Sequence, residues 1–190
     1  MNKMSYPLKS FFETIDKTIS IAWGNNWGTF TKAYPSESES KSIKTPIITY
    51  RTSEKTPSQM GQVKEIKPRI RHQFSVPETG EAYQIWGQRF DCIVEFGVWA
   101  DNDSKAEEYA EFFEEFMTTY CGLFKENGII EIIHLKTVDE MHPHSWRVDF
   151  SSRHVIYHVI IDKKIPVSLA TIEEVRVKLK NLKEDRSSEK

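Results

Sequence analysis

The chain contains six histidines, and four of them fall in two close pairs that could bind a metal. His142 and His144 form an H-x-H pattern, whereas His154 and His158 point to one face of a predicted strand because side chains alternate along a strand. A metal site needs three or four converging His, Cys or carboxylate ligands, and neither cysteine lies near these histidines in the sequence. We therefore predict no metal site and expect these histidines at the surface or on an edge strand.

The two cysteines, Cys92 and Cys121, are the candidate nucleophiles. A reactive thiol needs exposure and a neighbouring basic group, but both cysteines lie in apolar rows and are predicted to be buried, reduced thiols. The chain lacks the G-x-S-x-G, Walker and G-x-G-x-x-G patterns, and it has only eight glycines. These observations predict a protein that is not an enzyme and binds no cofactor.

Carboxylates dominate residues 101–115, where seven of them accompany a single lysine. A solvated helix face is the ordinary explanation, because acidic side chains are stabilised near a helix N-terminus. The alternative is a contact between neighbouring subunits, since complementary charged patches set register in a ring. The hypothetical interface comprises Glu107, Glu111 and Glu114 on the acidic side, and Lys64, Lys67, Arg69 and Arg71 on the basic side.

Tryptophans are enriched at interface hot spots, although most of them belong to the core. Trp99 ends an apolar strand and is predicted to lie in the core. Trp146, with the adjacent Arg147, is assigned to an interface with another subunit or a partner.

The elements that must position these residues centre on the run 87–117, where the hydrophobic period changes from two to about 3.6. This change predicts a strand, a turn and a helix. A capping box of Ser104 and Glu107 is expected at the start of the helix, and Asn127–Gly128 at its end. The strand row comprises Phe90, Cys92, Val94, Phe96 and Val98, and the helix row that should cover it comprises Ala106, Tyr109, Ala110, Phe113, Phe116, Met117, Tyr120 and Phe124.

The remaining pattern predicts an α+β fold, with a mixed or antiparallel sheet packed by an N-terminal helix and the long central helix. The first helix, over 8–23, should begin with a capping box of Ser10 and Glu13, bury Ala22 and Trp23 among others, and stop at Gly24. Long exposed loops are expected to dock partners. Further strands are predicted over 47–51, 68–74, 83–100, 129–136 and 147–161, the last with a candidate break at Ser151–Ser152. Exposed loops are predicted over 35–46, 52–67 and 75–82, and a last helix over 171–182.

Length and charge set the broad class of the protein. A chain of 190 residues supports one core, so residues 1–165 are predicted to form one domain, followed by a helix and polar tail over 166–190. The formal net charge of −2 does not suggest a dedicated nucleic-acid binder. Acidic and basic residues interrupt the N-terminal apolar stretch, and no window is apolar enough for a membrane span, so we expect neither an export signal nor a membrane segment.

The run 87–117, with Lys67 to Arg71 before it and Trp146–Arg147 after it, resembles the tail terminator (tail completion) proteins of tailed bacteriophages over roughly residues 46–165. The resemblance implies an α+β subunit that forms a hexameric ring on the tail tube, stops tube growth and joins the tail to the neck of the head. One departure concerns the last strand, where relatives are expected to be Arg-rich and this chain has the segment 152–158, SRHVIYH.

The partners implied by this resemblance are other copies of the chain, the tail tube protein, the sheath as a further candidate, and a neck or head-completion protein. The implied location is the virion, at the top of the tail, after assembly in the host cytoplasm. Passing genomic DNA would make only transient contact, because three or four cations are too few for firm binding. Two alternatives stay open at this point: a neck or head-completion protein of the same virion, and a small metal-dependent hydrolase.

Overall fold

A mixed six-stranded sheet with helices on one face forms the body of the protein. The computed structural model describes residues 7–24, 28–32, 46–59, 65–76, 79–126, 128–139, 150–170 and 172–178. In chain order the elements are α1 (Pro7–Trp23), β1 (Thr29–Thr31), β2 (Ile47–Pro57), β3 (Arg69–Ser75), β4 (Ala82–Ala100), α2 (Asp103–Thr119), α3 (Cys121–Phe124), β5 (Ile129–Asp139) and β6 (Ser151–Ser168). Residues 172–178 are helical and are called α4. The predicted α+β class is confirmed.

The sheet has the strand order β1-β2-β4-β6-β5, and β3 pairs with the first part of β4. Only β1 and β2 are parallel, and the other neighbours are antiparallel. β4 has 19 residues and β6 has 18, so each reaches about 60 Å at roughly 3.3 Å per residue. α2, with 17 residues, covers only about 25 Å. The two central strands are therefore much longer than the helix that packs on them.

The core lies between the helices and one face of β4 and β6, as the apolar rows predict. Cys92, Val94, Phe96 and Val98 are fully buried, and Phe90 packs against them. The residues of the predicted rows of both long helices are buried or half-buried, with the exception of Ala22, which is exposed. Ala22 lies next to the end of α1, whose buried row consists of Pro7, Phe11, Phe12, Ile15 and Ile19.

The predicted helix starts are wrong, because each capping box was placed inside its helix. The N-cap of α2 is Asn102, whose extended backbone lets its side chain accept a hydrogen bond of 2.9 Å from the Lys105 backbone N–H. α1 begins at Pro7, a residue that suits the first helical position, and Ser10 lies within the helix. The predicted stop at Gly24 fits its φ of 79°. The central helix ends at Thr119 and resumes as α3, instead of running on to the expected stop at 127–128.

Two strands end later in the chain than predicted, because each pairs with the long strand β4. β2 continues through residue 57, where a loop was expected from 52, since every residue of β4 from Trp99 to Phe90 has a register partner in β2. β6 begins at Ser151 and runs to Ser168, beyond the predicted strand end at 161 and the predicted domain boundary at 165. Residues 33–45 and 140–149, which include parts of one predicted loop and one predicted strand, lie outside the described residues.

One end of the sheet contributes no residue to the described core beneath α1, α2 and α3. We call it the arm, and it comprises β3, residues 82–89 of β4 and residues 162–168 of β6. None of these residues belongs to the hydrophobic core cluster, and six of the seven β3 residues are exposed. Between the end of β3 and the start of β4, the Val76 backbone N–H donates to the Glu81 carbonyl at 2.9 Å.

Candidate functional site

The face of the sheet opposite the helices, here the polar face, carries two carboxylate–histidine pairs. β4 contributes Glu95 and Asp91, and the neighbouring β6 contributes His154 and His158, because alternate residues of both strands share this face. His154 Nδ1 lies 2.6 Å from Glu95 Oε1, and His158 Nε2 lies 3.3 Å from Asp91 Oδ1. The histidines are only 2% and 3% exposed. This placement contradicts the expected surface or edge position, because β6 is an interior strand.

Each carboxylate of the polar face has further donors that offset its burial. Arg51 of β2 donates to Glu95 through Nε at 2.9 Å and Nη2 at 2.8 Å. Asp91 accepts from Ser58 Oγ at 3.0 Å and from the Gln59 backbone N–H at 2.8 Å. Buried carboxylates are stable only when such donors replace water. The pairs therefore tie β2, β4 and β6 together across one face.

Trp99 lies at the end of this face and is buried, as predicted. Its indole Nε1 donates to Thr49 Oγ1 at 3.0 Å, and its ring meets His154 edge-on at 5.9 Å. Gly97 makes room for this contact, because a Cβ there would lie 2.7 Å from Thr49 Oγ1. The geometry is that of a packed, hydrogen-bonded interior.

The paired histidines and carboxylates of the polar face line neither of two cavities in the described structure. Cavities of about 520 Å³ and 400 Å³ lie elsewhere, the first between α1 and β2 and the second along α2, and neither is lined by His154 or His158. Within the described residues, no three His, Cys, Asp or Glu side chains are placed to hold a metal ion. His142 and His144 lie outside the described residues. The two pairs connect strands within the subunit.

The two cysteines differ in exposure. Cys92 is fully buried, as predicted, and burial raises the pKa of its thiol to about 11. Cys121 is half-buried, and both cysteines are free. A thiol with so high a pKa is a poor nucleophile near neutral pH.

Arg71, a predicted interface residue, is engaged inside the subunit. Its guanidinium forms ion pairs with Glu65 and, at 3.1 Å, with Asp162 of β6. The hydrogen bond from Arg71 holds the pKa of the Glu65 carboxyl below its usual value against the opposing effect of burial, aided by the Arg89 backbone N–H. Gly87 lets the arginine lie across β4, since a Cβ there would approach its side chain to 2.6 Å.

The other predicted basic residues divide into two groups. Lys67 and Arg69 are exposed, and neither forms an ion pair with a described residue. Lys64, Trp146 and Arg147 lie outside the described residues. Of the original basic stretch, the described side chains that face solvent without an ion pair are thus Lys67 and Arg69.

The three predicted acidic residues of α2 also fall into two groups. Glu107 and Glu111 are exposed, whereas Glu114 is half-buried, accepts a hydrogen bond from Thr137 Oγ1 and lies 3.8 Å from His134 Nε2. Glu114 therefore links α2 to β5 within the subunit. Sequence reasoning missed the cavity of about 400 Å³ on this helix, which is lined by Glu108, Tyr109, Glu111, Phe112 and Glu115.

Phe112 is the feature of α2 that could have signalled this cavity, because it is an aromatic residue on the charged face. Its side chain is 42% exposed and stacks on Trp23 of α1 with ring centroids 4.9 Å apart. Exposed large apolar residues occur on the arm as well, where Ile70 is 44% exposed and Phe74 is 37% exposed. Exposed apolar side chains thus occur both on the arm and on α2, where carboxylates surround Phe112.

Comparisons with known proteins add no family to this description. No family model matches the chain, and no curated protein is significantly similar to it. None of the described helices is long and apolar enough to cross a membrane.

Proposed function

We propose that this chain is a non-enzymatic structural subunit of a phage virion, a tail terminator that caps the tail tube as a ring and joins the tail to the neck. The sequence resemblance of the run 87–117 supports the family. Its partners would be other copies of itself, the tube protein below and the neck protein above. Its mechanism is binding alone.

The observation that carries this proposal is the arm. It extends a hydrogen-bonded sheet past its helical cover, with Ile70 and Phe74 exposed on it and Trp86 half-buried. Apolar surface costs about 25 cal/mol for each Å² left in water, so an extended apolar arm is stabilised when a partner covers it. Such an arm suits a protein that works by assembly.

The side-chain pairing on the polar face also supports the proposal of a non-enzymatic subunit. Its histidines and carboxylates, the residues best suited to catalysis, pair strands to one another inside the subunit. A hydrolase would need these groups directed at a substrate cavity. The described cavities are lined by other residues, apart from Arg51 at the rim of the one beside β2.

A biochemical experiment and a genetic experiment together test this proposal. Light scattering and negative-stain microscopy of the purified protein should find closed rings. Phage with a stop codon in this gene should make tails of uncontrolled length. A monomer at every concentration, together with normal tails from the stop-codon phage, would overturn the proposal. Tails of normal length beside unattached heads would instead assign the protein to the neck.

A further inference from the structure

We propose that the arm of one subunit docks on the acidic cavity of α2 in a neighbouring copy, so that the ring closes by head-to-tail contacts between arm and helix. This inference rests on the proposed ring-forming function. It names the two surfaces that meet and the chemistry that matches them.

The acceptor surface combines negative charge with an aromatic floor. Glu108, Glu111 and Glu115 surround Phe112 at the cavity of about 400 Å³. These three carboxylates form no ion pair with a described cation, although other acidic residues nearby do: Asp101 pairs with Lys105. Three adjacent carboxylates repel one another, and a cationic partner would relieve that repulsion.

The arm presents the opposite charge beside apolar side chains. Arg69, the first residue of β3, and Lys67, two residues before it, are exposed, and Lys163 lies half-buried on β6. Ile70 is the register partner of Trp86, which in turn pairs with Ile165, so one face of the arm carries three adjoining apolar residues. Lys163 shares this face with Ile165, whereas Arg69, the register partner of Gly87, lies on the other face at the edge of the arm. Cations beside an apolar surface and along its edge are complementary to an acidic rim around Phe112.

The occupant is a second copy because both halves of the match are carried by one chain. A contact between two different patches is heterologous, and it forms a closed ring when the rotation between copies closes. Arg71 has no part in the contact, since Glu65 and Asp162 hold its guanidinium inside the subunit. The docking cations are thus Lys67 and Arg69, with Lys163 beside them.

A charge exchange tests the contact. The arm variant is Lys67→Glu with Arg69→Glu, the helix variant is Glu108→Lys with Glu111→Lys, and a third protein carries all four changes. Sedimentation velocity should find each two-residue variant about tenfold or more weaker in ring formation, because like charges then face each other at every interface. The four-residue variant should assemble nearly as well as the wild type, since the attraction is restored with reversed signs.

The matched control is Lys17→Glu with Lys136→Glu, two exposed lysines away from both surfaces whose reversal changes the net charge by the same amount as the arm variant. It should assemble like the wild type, and thermal melts should give one stability for all five proteins. Rings from the wild type that persist in both two-residue variants, or a control that fails equally, would overturn the contact and leave the proposed function standing. A wild type that never forms rings would overturn both.

Discussion

Glu95, Asp91 and Glu65 are carboxylates that the fold takes largely out of water, and each is surrounded by donors. Taking an ion out of water costs several kcal/mol unless hydrogen bonds and opposite charges replace the solvent. Arg51 and His154 serve Glu95, and Arg71 with the Arg89 backbone N–H serves Glu65. These residues hold strands in register, and removing a carboxylate leaves a buried donor such as His154 without its acceptor.

Glu95→Gln should lower the free energy of unfolding by about 2 kcal/mol or more, because Arg51 and His154 lose their charged acceptor. Urea denaturation at pH 7 measures the change. Glu131→Gln is the matched control, since Glu131 pairs with Lys125 at the surface and its loss should matter much less. Equal effects of both changes would contradict the role assigned to Glu95.

The pH dependence of stability should carry the signature of Glu65. Its pKa is lowered in the folded protein, so it stabilises the fold above its ordinary value of 4.5, and this contribution is lost as the pH falls through the folded pKa. The stability difference between the wild type and Glu65→Gln should therefore be full at pH 7 and shrink below pH 4.5. Urea titrations across this range measure it. A difference that stays constant down to acid pH would refute the assignment.

α2 is held on the sheet by one apolar row, and neighbouring residues of the helix allow a direct test. Phe113 is fully buried against Phe96, with ring centroids 5.0 Å apart, whereas Phe112 is 42% exposed and stacks on Trp23 of α1. Phe113→Ala should destabilise the subunit by about 3 to 5 kcal/mol. Phe112→Ala should cost clearly less in a thermal melt. Similar losses of stability from the two substitutions would contradict the assignment of Phe113 to the buried row.

The start of α2 offers a second test of the helix. Asn102→Ala should destabilise by about 1 kcal/mol because the Lys105 backbone N–H loses its acceptor. Ser104→Ala should have a smaller effect, since Ser104 lies inside the helix. Chemical denaturation compares the two proteins, and a larger loss from the serine would restore the capping box that the sequence predicts.

The whole molecule combines a well-packed body with an arm that has little to pack on. Ile70→Thr should leave the stability of the monomer within about 0.5 kcal/mol, because the residue is exposed, but it should weaken self-association. Val175→Thr is the control, an equally exposed apolar residue on α4. Sedimentation velocity over a concentration series measures both. If the Ile70 variant self-associates as strongly as the wild type, this residue of the arm does not contribute to assembly.

Much of the body of the fold was predictable from residues 87–117. Alternation from Phe90 to Val98 and the three- and four-residue steps from Ala106 to Met117 are local consequences of side-chain geometry, and the two elements then bury the faces that these periods define. Caps were less predictable, because Asn102 and Ser104 are both good N-cap residues and only the backbone conformation selects between them.

The candidate interaction site was predictable only in part. The exposure of the charged residues Arg69 and Glu111 follows from composition. The sequence predicts the same exposure for Arg71, but this residue forms ion pairs inside the subunit. Its partner Asp162 is ninety-one positions away, so no local pattern could associate the two.

The periodicity of this chain thus specified which faces are apolar and, through them, the α+β class and the helix-on-sheet core, since burial depends on local repeats. Only the tertiary structure decided that His154 and His158 are interior residues, that β2 and β6 run on as far as they do, and that an arm extends beyond the helices. These features depend on which distant strand supplies the neighbouring ladder and donors, and hydrogen bonds between segments far apart in sequence leave no repeat in the residues themselves.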